Sequence, residues 1–125
     1  MYLSKEELTL KAEKFQAYLE KKIGPEASDL LERVEMLSIL IAQSGQCLAN
    51  AKYLQDQVIN GTIMEALKNA YEERLSPSTI NNYVKTSAKE YNYLVNWLDR
   101  INSTATHQLD STRTLISYKK AELNL

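Results

Sequence analysis

The sequence predicts an all-α protein: a long antiparallel helical hairpin, coiled-coil-like, with an additional N-terminal helix packed on one end. Three observations predict this class. Only three Gly and two Pro interrupt 125 residues that are otherwise rich in helix formers. Two long stretches carry apolar or small residues in alternating steps of three and four, which is typical of a helical seam. They have nearly equal lengths on either side of Ser76-Pro77-Ser78, and the chain length fits a single helical domain over residues 1–125.

Helix 1 is predicted over about residues 4–23. Ser4 and Glu7 have the spacing of a capping box, in which each side chain satisfies a free backbone donor of the first turn. One apolar face then recurs in steps of three and four through Leu8, Ala12, Phe15, Leu19 and Ile23. Gly24-Pro25 should end the helix, because glycine accepts a left-handed conformation at a helix C-terminus and proline opens the next element.

Helix 2 is predicted to begin at about residue 26 and to reach residue 60. Its seam consists of Leu30, Val34, Leu37, Ile41, Ser44, Leu48, Ala51, Gln55 and Val58. Asn60-Gly61 leaves two alternatives: the helix restarts over about residues 62–75, or it continues through Gly61, where glycine costs about 1 kcal/mol relative to alanine. We favour a kink or short break, because Thr62 and Glu65 have the spacing of a new capping box.

Residues 36–51 contain no charged side chain, although 25% of the whole chain is charged. The run is too short and too polar for a membrane span, which needs about 20 predominantly apolar residues. It is therefore predicted to be a helix that other helices cover on most sides. Matching the lengths of the helices places it opposite residues 102–117, with helix 1 along residues 27–45.

Helix 3 is predicted over about residues 77–122. Ser76 can cap it and Pro77 can occupy its first position, and neither Gly nor Pro follows in the sequence. Since helix 1 covers only one end of the hairpin, the end around residues 55–97 has two helices and much apolar surface. From this surface we expect a homo-oligomer, although a different protein partner would also cover it.

The hydroxyl-rich segment 103–114 contains the candidate polar sites. His107, Asp110 and Arg113 follow one another at intervals of three and can form a polar row on one helix face. We interpret this row as part of a hydrogen-bond network across the hairpin that fixes register and oligomeric state. The predicted network contains Gln43, Gln46, Asn50, His107, Gln108, Asp110 and Arg113.

Neither a catalytic site nor a metal site is predicted. A His107–Asp110 pair could orient a general base for a hydroxyl nucleophile, as in a hydrolase, but nothing in the sequence builds an oxyanion hole. One His and one Cys are too few for a zinc site, and three glycines supply no phosphate-binding loop. We expect no cofactor and no enzymatic activity.

Aromatic residues in segment 81–97 are the first choice for contact with another subunit or a partner. Tyr and Trp bury a large area while retaining a polar group, which explains their enrichment at interfaces. The candidates are Tyr83, Tyr91, Tyr93 and Trp97. Ordinary packing in the core is the alternative for each of them.

Nucleic acid is an alternative partner. From Ile80 to the end, six basic residues stand against four acidic ones, whereas the net charge of the chain is −1. A ring of subunits would concentrate these residues into a basic surface with aromatic stacking platforms; the other interpretation, which we favour, is a solvated helix face. The candidate contacts are Lys85, Lys89, Arg100, Lys119 and Lys120.

The single cysteine and the N-terminus indicate the compartment. Cys47 has no partner for an internal disulfide and lies within the apolar run, so we expect a buried, inert thiol in a reducing cytoplasm. The N-terminal residues are charged and helical, without the apolar segment of a secretion signal. We therefore expect a cytoplasmic protein that does not bind the membrane.

Three segments resemble small helical proteins of phages and mobile elements: ANAKYL at 49–54, VKTSAKEY at 84–91, and residues 107–123. The order of helices is similar to that of the recombination-mediator proteins of tailed phages, and the resemblance covers about two thirds of the chain. It implies a cytoplasmic protein that forms ring-like oligomers and binds single-stranded DNA while loading a recombinase. The chain departs from that family in lacking its basic character.

Together these observations predict a non-enzymatic, oligomeric helical interaction or scaffold protein of phage or mobile-element origin. The alternative is a single-stranded nucleic-acid-binding protein of the recombination-mediator kind. Association of the chain with itself, or with a protein partner, distinguishes the first prediction. Salt-dependent binding of single-stranded DNA distinguishes the second.

Overall fold

The computed structural model describes residues 2–123 of the chain and contains three helices in that range. They are α1 (Lys5–Glu20), α2 (Ala27–Glu73) and α3 (Pro77–Leu123). No strand occurs among these residues, so the predicted all-α class is confirmed. α2 and α3 contain 47 residues each, which corresponds to about 70 Å at 1.5 Å per residue. Met1, Asn124 and Leu125, which the predicted domain 1–125 includes, lie outside the described range.

The first helix begins as predicted and ends earlier. The Ser4 hydroxyl accepts a hydrogen bond of 3.1 Å from the backbone N–H of Glu7, so the predicted N-cap forms. α1 ends at Glu20 instead of about Ile23, because Lys21 takes an extended conformation and its N–H donates to the carbonyl of Tyr18. The shorter helix keeps the predicted apolar face, since its buried residues are Leu8, Ala12, Phe15 and Leu19.

Gly24 does not form the left-handed helix cap that the sequence predicts. No glycine of the described chain has a positive φ, so the left-handed cap expected at Gly24 is wrong. A Cβ at this position would overlap the carboxylate of Asp29. That carboxylate accepts a hydrogen bond of 3.1 Å from the backbone N–H of Glu26, immediately before α2 begins. Glycine is therefore required here to make room for a side chain that caps the next helix.

The second helix runs without interruption through Gly61, so the short break expected there is wrong. The Thr62 hydroxyl donates 2.7 Å to the carbonyl of Val58, within the helix, instead of capping a new one. No atom lies within 4 Å of where a Cβ on Gly61 would stand. The cost of glycine, about 1 kcal/mol, is local, whereas packing of α2 against α3 supports the helix along its length.

The turn between the two long helices forms as the sequence predicts. Pro77 is the first residue of α3, and the Ser76 hydroxyl accepts a hydrogen bond of 3.2 Å from the N–H of Thr79. Arg74 takes a left-handed conformation with φ of 56°, the one positive value among the non-glycine residues described. Three residues, 74–76, thus separate the two long helices.

α2 packs against α3 through small and apolar side chains. Residues of α3 buried there or under α1 are Ala88, Leu94, Leu98, Ile101, Ala105, Leu109 and Thr112. Hydrogen bonds between α2 and α3 join Arg33 to Gln108, Asn102 to Ser44, and Gln55 to Asn92. The partner's number on α3 falls as the number on α2 rises. α1 lies against both long helices, and its apolar face joins theirs in one core.

The uncharged run 36–51 is covered on fewer sides than predicted. Leu37, Leu40, Ser44, Cys47 and Ala51 are buried. The exposed residues of the same run are Met36, Ser38, Ile39, Ala42, Gln43, Gln46 and Ala49. The expectation of cover on most sides is therefore wrong, because three helices give this stretch of α2 only two neighbours, α1 and α3.

Candidate interaction surfaces

The polar network predicted across the long helices does not form. Gln43, Gln46, His107, Asp110 and Arg113 are all exposed, and within residues 2–123 none of their side chains has a hydrogen-bond partner. The row His107, Asp110, Arg113 lies on the outside of α3, so it faces solvent instead of residues 43–50. A His107–Asp110 catalytic pair is likewise not formed in this arrangement.

Asn50, a member of the predicted network, holds the N-terminal segment. Its Nδ2 donates 3.3 Å to the carbonyl of Leu3, and its Oδ1 accepts 2.8 Å from the N–H of Leu3. One amide side chain therefore satisfies both backbone groups of the residue before the α1 cap. This contact could not be predicted from the sequence, because Leu3 and Asn50 are 47 positions apart and meet only once the length and direction of the helices are known.

Gln108 belongs to a buried polar cluster that the sequence did not reveal. The Arg33 side chain is only 5% exposed. It donates to the carbonyls of Tyr18 (3.2 Å) and Leu19 (3.3 Å) and to Oε1 of Gln108 (2.7 Å). Gln108 in turn donates 3.0 Å to the Leu19 carbonyl. We call Arg33, Gln108 and these two carbonyls the α1 clasp.

The α1 clasp buries a positive charge without a carboxylate. Its acceptors are the last carbonyls of α1, where the helix dipole places partial negative charge, and the guanidinium also lies 4.4 Å from the ring centroid of Tyr18. The Nε of Arg33 is buried without a hydrogen-bond partner. Such a site is structural: it fixes the C-terminal end of α1 on both long helices.

Asn102 makes a second polar contact between the long helices. Its Nδ2 donates to the carbonyl of Ile41 (2.9 Å) and to the hydroxyl of Ser44 (3.0 Å). Ser44 is fully buried. Ser44 interrupts an apolar seam and so marks a polar contact in the sequence. Matching residues 36–51 with 102–117, however, puts Ser44 opposite about residue 109, so the predicted pairing is displaced by about seven residues from the observed one.

The four aromatic interface candidates divide into two pairs. Tyr91 and Trp97 are half-buried beside α1, where Trp97 Nε1 donates 3.3 Å to Gln16 and Lys5 lies 5.7 Å from the Tyr91 ring centroid. Tyr83 and Tyr93 are exposed. Tyr93 and Trp97 are 6.0 Å apart between ring centroids and tilted. Two candidates thus help to hold α1, and two remain free for contact with another molecule.

An exposed ion pair joins the N-terminal end of α1 to α3. Lys5 is paired with Glu90 of α3, across a groove of about 530 Å³ that Tyr93 and Trp97 also line. The hydrogen bond to Glu90 raises the pKa of Lys5, and the same bond lowers the pKa of Glu90. Both groups therefore remain charged over a wider pH range than they would alone.

The basic residues predicted to contact nucleic acid are only partly brought together. Lys85, Lys89 and Arg100 lie on the outer side of α3, whereas Lys119, which is half-buried, and Lys120 fall on other sides of the helix. Steps of three and four join the first group into one exposed row without an acidic residue. This α3 basic face consists of Lys85, Lys89, Tyr93, Asn96, Arg100, Ser103 and His107.

A second row of side chains follows the outside of α2, and the sequence prediction missed it. It alternates in steps of three and four from residue 36 to residue 71 and contains no charged residue. This α2 stripe consists of Met36, Ile39, Gln43, Gln46, Asn50, Tyr53, Gln57, Asn60, Met64, Leu67 and Tyr71. Ten of the eleven residues are exposed, and Asn50 is half-buried. The spacing is that of a coiled-coil seam, yet no helix of the chain covers it.

Both ends of the α2 stripe are apolar. At one end Met64, Leu67 and Tyr71 are 70%, 55% and 91% exposed. At the other end Met36 and Ile39 line a groove of about 430 Å³ between α1 and α2. The remaining residues of this α1–α2 groove include Leu10, Phe15, Tyr18 and Leu40, with Glu7, Lys11, Lys14 and Gln43 around them. The α2 stripe thus borders the apolar α1–α2 groove at one end and forms, at the other end, an apolar ridge of Met64, Leu67 and Tyr71.

Cys47 is buried among apolar side chains, and burial raises the pKa of its thiol, with the positive charge of Lys11 as a smaller, opposing cause.

Over residues 2–123, no three His, Cys, Asp or Glu side chains come close enough to hold a metal ion. In the same range, no helix is sufficiently long and apolar to cross a membrane.

Comparison with protein-family models, curated proteins and solved structures finds no match to this chain. Any inference about its function must therefore start from the surfaces described above.

Proposed function

We propose that the chain is a non-enzymatic helical interaction protein that associates with itself and presents its outer surface to another macromolecule. The α2 stripe is the single observation that carries this proposal. An exposed row with coiled-coil spacing and no charge leaves apolar area in water that a partner helix would remove. Met64, Leu67 and Tyr71 contribute the most exposed part of that area.

The proposal includes an antiparallel, coiled-coil-like hairpin of α2 and α3 with α1 at one end. The paired residues support this arrangement: Arg33 contacts Gln108, Ser44 contacts Asn102, and Gln55 contacts Asn92. A falling partner number along α3 is what an antiparallel pair requires. The end of the hairpin without α1, around residues 55–97, is then the end that needs a partner most.

The absence of catalysis and a cytoplasmic location are further parts of the proposal. The exposed, separate side chains of His107 and Asp110 support a non-catalytic role, since a general base needs an orienting partner within hydrogen-bond reach. The buried free thiol of Cys47 supports a reducing compartment. The resemblance of segments 49–54 and 84–91 to phage proteins supports an origin in a phage or mobile element.

A measurement of mass in solution tests self-association. Light scattering or sedimentation from about 1 to 100 μM should give a mass above the 14.3 kDa of one chain, rising with concentration. A mass of one chain throughout the range would contradict the proposal.

A second candidate function is binding of single-stranded nucleic acid, and the α3 basic face favours it. Lys85, Lys89 and Arg100 share this exposed row with Tyr93, and no carboxylate interrupts it. Positive charge that follows a phosphate backbone, together with an aromatic ring on which bases stack, is the usual composition of such a surface.

Titration of a fluorescent single-stranded oligonucleotide tests this candidate. Binding should weaken steeply between 50 and 200 mM salt, because phosphate contacts release counterions. Replacing both Lys89 and Arg100 by Gln should weaken binding and reduce the salt slope by about 1.4, at about 0.7 per phosphate contact. Substitution of Lys119 and Lys120 by Gln is the matched control, since these residues lie off the face. No binding at low salt would exclude the candidate.

A further inference from the structure

The order of side chains along the α2 stripe is nearly the same when it is read from either end. From the N-terminal end, the apolar pair Met36 and Ile39 precedes a row of amides. From the C-terminal end, Tyr71, Leu67 and Met64 precede the amides Asn60 and Gln57. Tyr53 lies in the middle: Ile39 and Leu67 each stand 14 residues from it, or about 21 Å along the helix.

A surface that reads alike from both ends suits a second copy of the same chain. A two-fold axis requires each interface patch to be complementary to itself, whereas a different protein would impose no such symmetry on the stripe. The stripe also carries no charge, so two identical stripes can face each other without repulsion. When the two copies run in opposite directions about Tyr53, apolar ends meet apolar ends and amides meet amides, except that Gln43 lies opposite Met64.

We infer that two copies pair through their α2 stripes, antiparallel about a two-fold axis at Tyr53, and that Leu67 and Tyr71 of each copy occupy the α1–α2 groove of the other. This inference rests on the proposed self-association and specifies its interface. Position 39 of one chain then faces position 67 of the second copy, and Met36 lies near Tyr71 of the second copy.

The groove and the ridge have the properties this arrangement requires. Leu10, Met36 and Ile39 are exposed and line the α1–α2 groove, whose volume of about 430 Å³ accommodates more than one side chain. Tyr71 is 91% exposed. Its ring can bury a large area in the groove of the second copy while its hydroxyl stays in contact with the polar edge. Each dimer contains this contact twice.

The middle of the stripe sets the register. Tyr2 stacks on Tyr53 with ring centroids 3.9 Å apart, and the Tyr53 hydroxyl accepts 2.6 Å from Gln57, so the central ring is already held in place. Around it the amides of Gln46, Gln57 and Asn60 can pair across the axis. Polar residues within a helical seam restrict its register, because a buried amide needs a partner across the interface.

Two charge substitutions on opposite ends of the stripe test the pairing. Ile39→Glu or Leu67→Lys, each alone, should weaken self-association at least tenfold, since an isologous dimer carries every substitution twice. When the two variants are mixed, Ile39→Glu of one chain meets Leu67→Lys of the other, and the second contact is native. The mixture should form a one-to-one heterodimer at least about tenfold tighter than either variant forms with itself, as measured by sedimentation or by fluorescence transfer between labelled chains.

Controls separate this result from loss of folding. Leu115, on α3, is 47% exposed, close to the 45% of Ile39, and Leu115→Glu should leave association unchanged. Far-UV circular dichroism and melting temperature should be unaltered in all three variants at concentrations where the chain is monomeric, because the residues changed are exposed.

The outcomes distinguish the inference from the proposed function. A wild-type chain that stays monomeric would overturn the proposed function and this inference together. A wild-type chain that associates, with single variants that associate equally well, would overturn the inference alone. Single variants that dissociate but do not combine on mixing would overturn the pairing of position 39 with position 67, and the two copies would then associate through the stripe in another register or orientation.

Discussion

The two ends of the molecule are built from the same pair of helices but differ in how they are completed. Where α1 packs, α2 and α3 bury Leu37, Leu98 and Ile101 almost entirely. Toward the turn at residues 74–76, α2 and α3 have only each other, and the buried residues among the side chains described there are the small Ala66 and Ala88. A two-helix layer is too thin to cover large side chains, so the core is concentrated where α1 packs against both long helices.

This difference also separates structural residues from candidate functional ones. Polar groups at the α1 end, such as those of Arg33, Asn102 and Asn50, have partners within the chain. At the other end Leu67, Tyr71 and Tyr83 are large, apolar or aromatic, and exposed. The large exposed side chains therefore lie where the fold has no third helix, or along the side of α2 that α1 leaves open.

The largest expected effect contrasts a core leucine with a leucine of the α2 stripe. Leu98→Ala, in the core under α1, should lower the free energy of unfolding by about 3–5 kcal/mol through lost burial and a cavity. Leu67→Ala, measured on the monomer, should change it by less than about 0.5 kcal/mol, because that side chain is already 55% exposed. Urea denaturation of both variants measures the difference. Equal losses would mean that the two ends are equally well packed.

The next effect removes the α1 clasp. Arg33→Met should lower the free energy of unfolding by about 2–3 kcal/mol, since the carbonyls of Tyr18 and Leu19 and the amide of Gln108 lose a buried, charged donor. Hydrogen exchange should show that α1 loses protection before α2 and α3 do. Arg113→Met is the matched control: this arginine is exposed, and its loss should cost less than about 0.5 kcal/mol.

A smaller effect comes from two glycines in different surroundings. Gly61→Ala should raise the free energy of unfolding by about 0.5–1 kcal/mol, because the residue is helical, has no positive φ, and has open space for a Cβ. Gly24→Ala should lower it, since the new Cβ would collide with the Asp29 carboxylate. Thermal unfolding compares them, and a destabilising Gly61→Ala would contradict the expectation that this helical position has room for a Cβ.

The smallest effect depends on pH. The Glu90 pKa is lowered by Lys5, so this carboxylate contributes stability above its ordinary value of 4.5 and loses the contribution as pH falls through its lowered pKa. The raised pKa of Lys5 gives the opposite limit: its contribution is present below 10.5 and lost at higher pH. Lys5→Met should therefore lower the melting temperature slightly at pH 7 and leave it unchanged near pH 2. Lys14→Met, at another exposed lysine of α1, should lack this pH dependence.

Local patterns in the sequence predicted the helices and their caps because they depend on neighbouring residues. Ser4, Pro77 and the buried face of α1 with Leu8 and Phe15 follow from spacing alone. The break expected at Gly61 was wrong because a local cost of about 1 kcal/mol was weighed without the packing of α3 against the whole helix.

The candidate sites were less predictable, for a different physical reason. Burial of Arg33 depends on carbonyls at the end of α1, 14 and 15 residues away, whose position requires the complete arrangement of helices. For the uncharged run 36–51 the predicted cover on most sides was wrong, since seven of its sixteen residues are exposed. An uncharged stretch does not show by itself whether other helices of the same chain cover it. Met36 and Ile39 are exposed, because α1 and α3 do not cover their side of α2.

Loss of the α1 clasp should also affect the proposed dimer, although no residue of the clasp belongs to the α2 stripe. One wall of the α1–α2 groove is α1 itself, so a second copy can bind there only while α1 is docked. Arg33→Met, which changes no residue of the stripe, should then weaken dimerisation as well. The coupling is reciprocal: at a hundred times the dissociation constant, the second copy would stabilise docked α1 by about 2.7 kcal/mol. The fraction of molecules in which α1 is docked on the long helices would then depend on protein concentration.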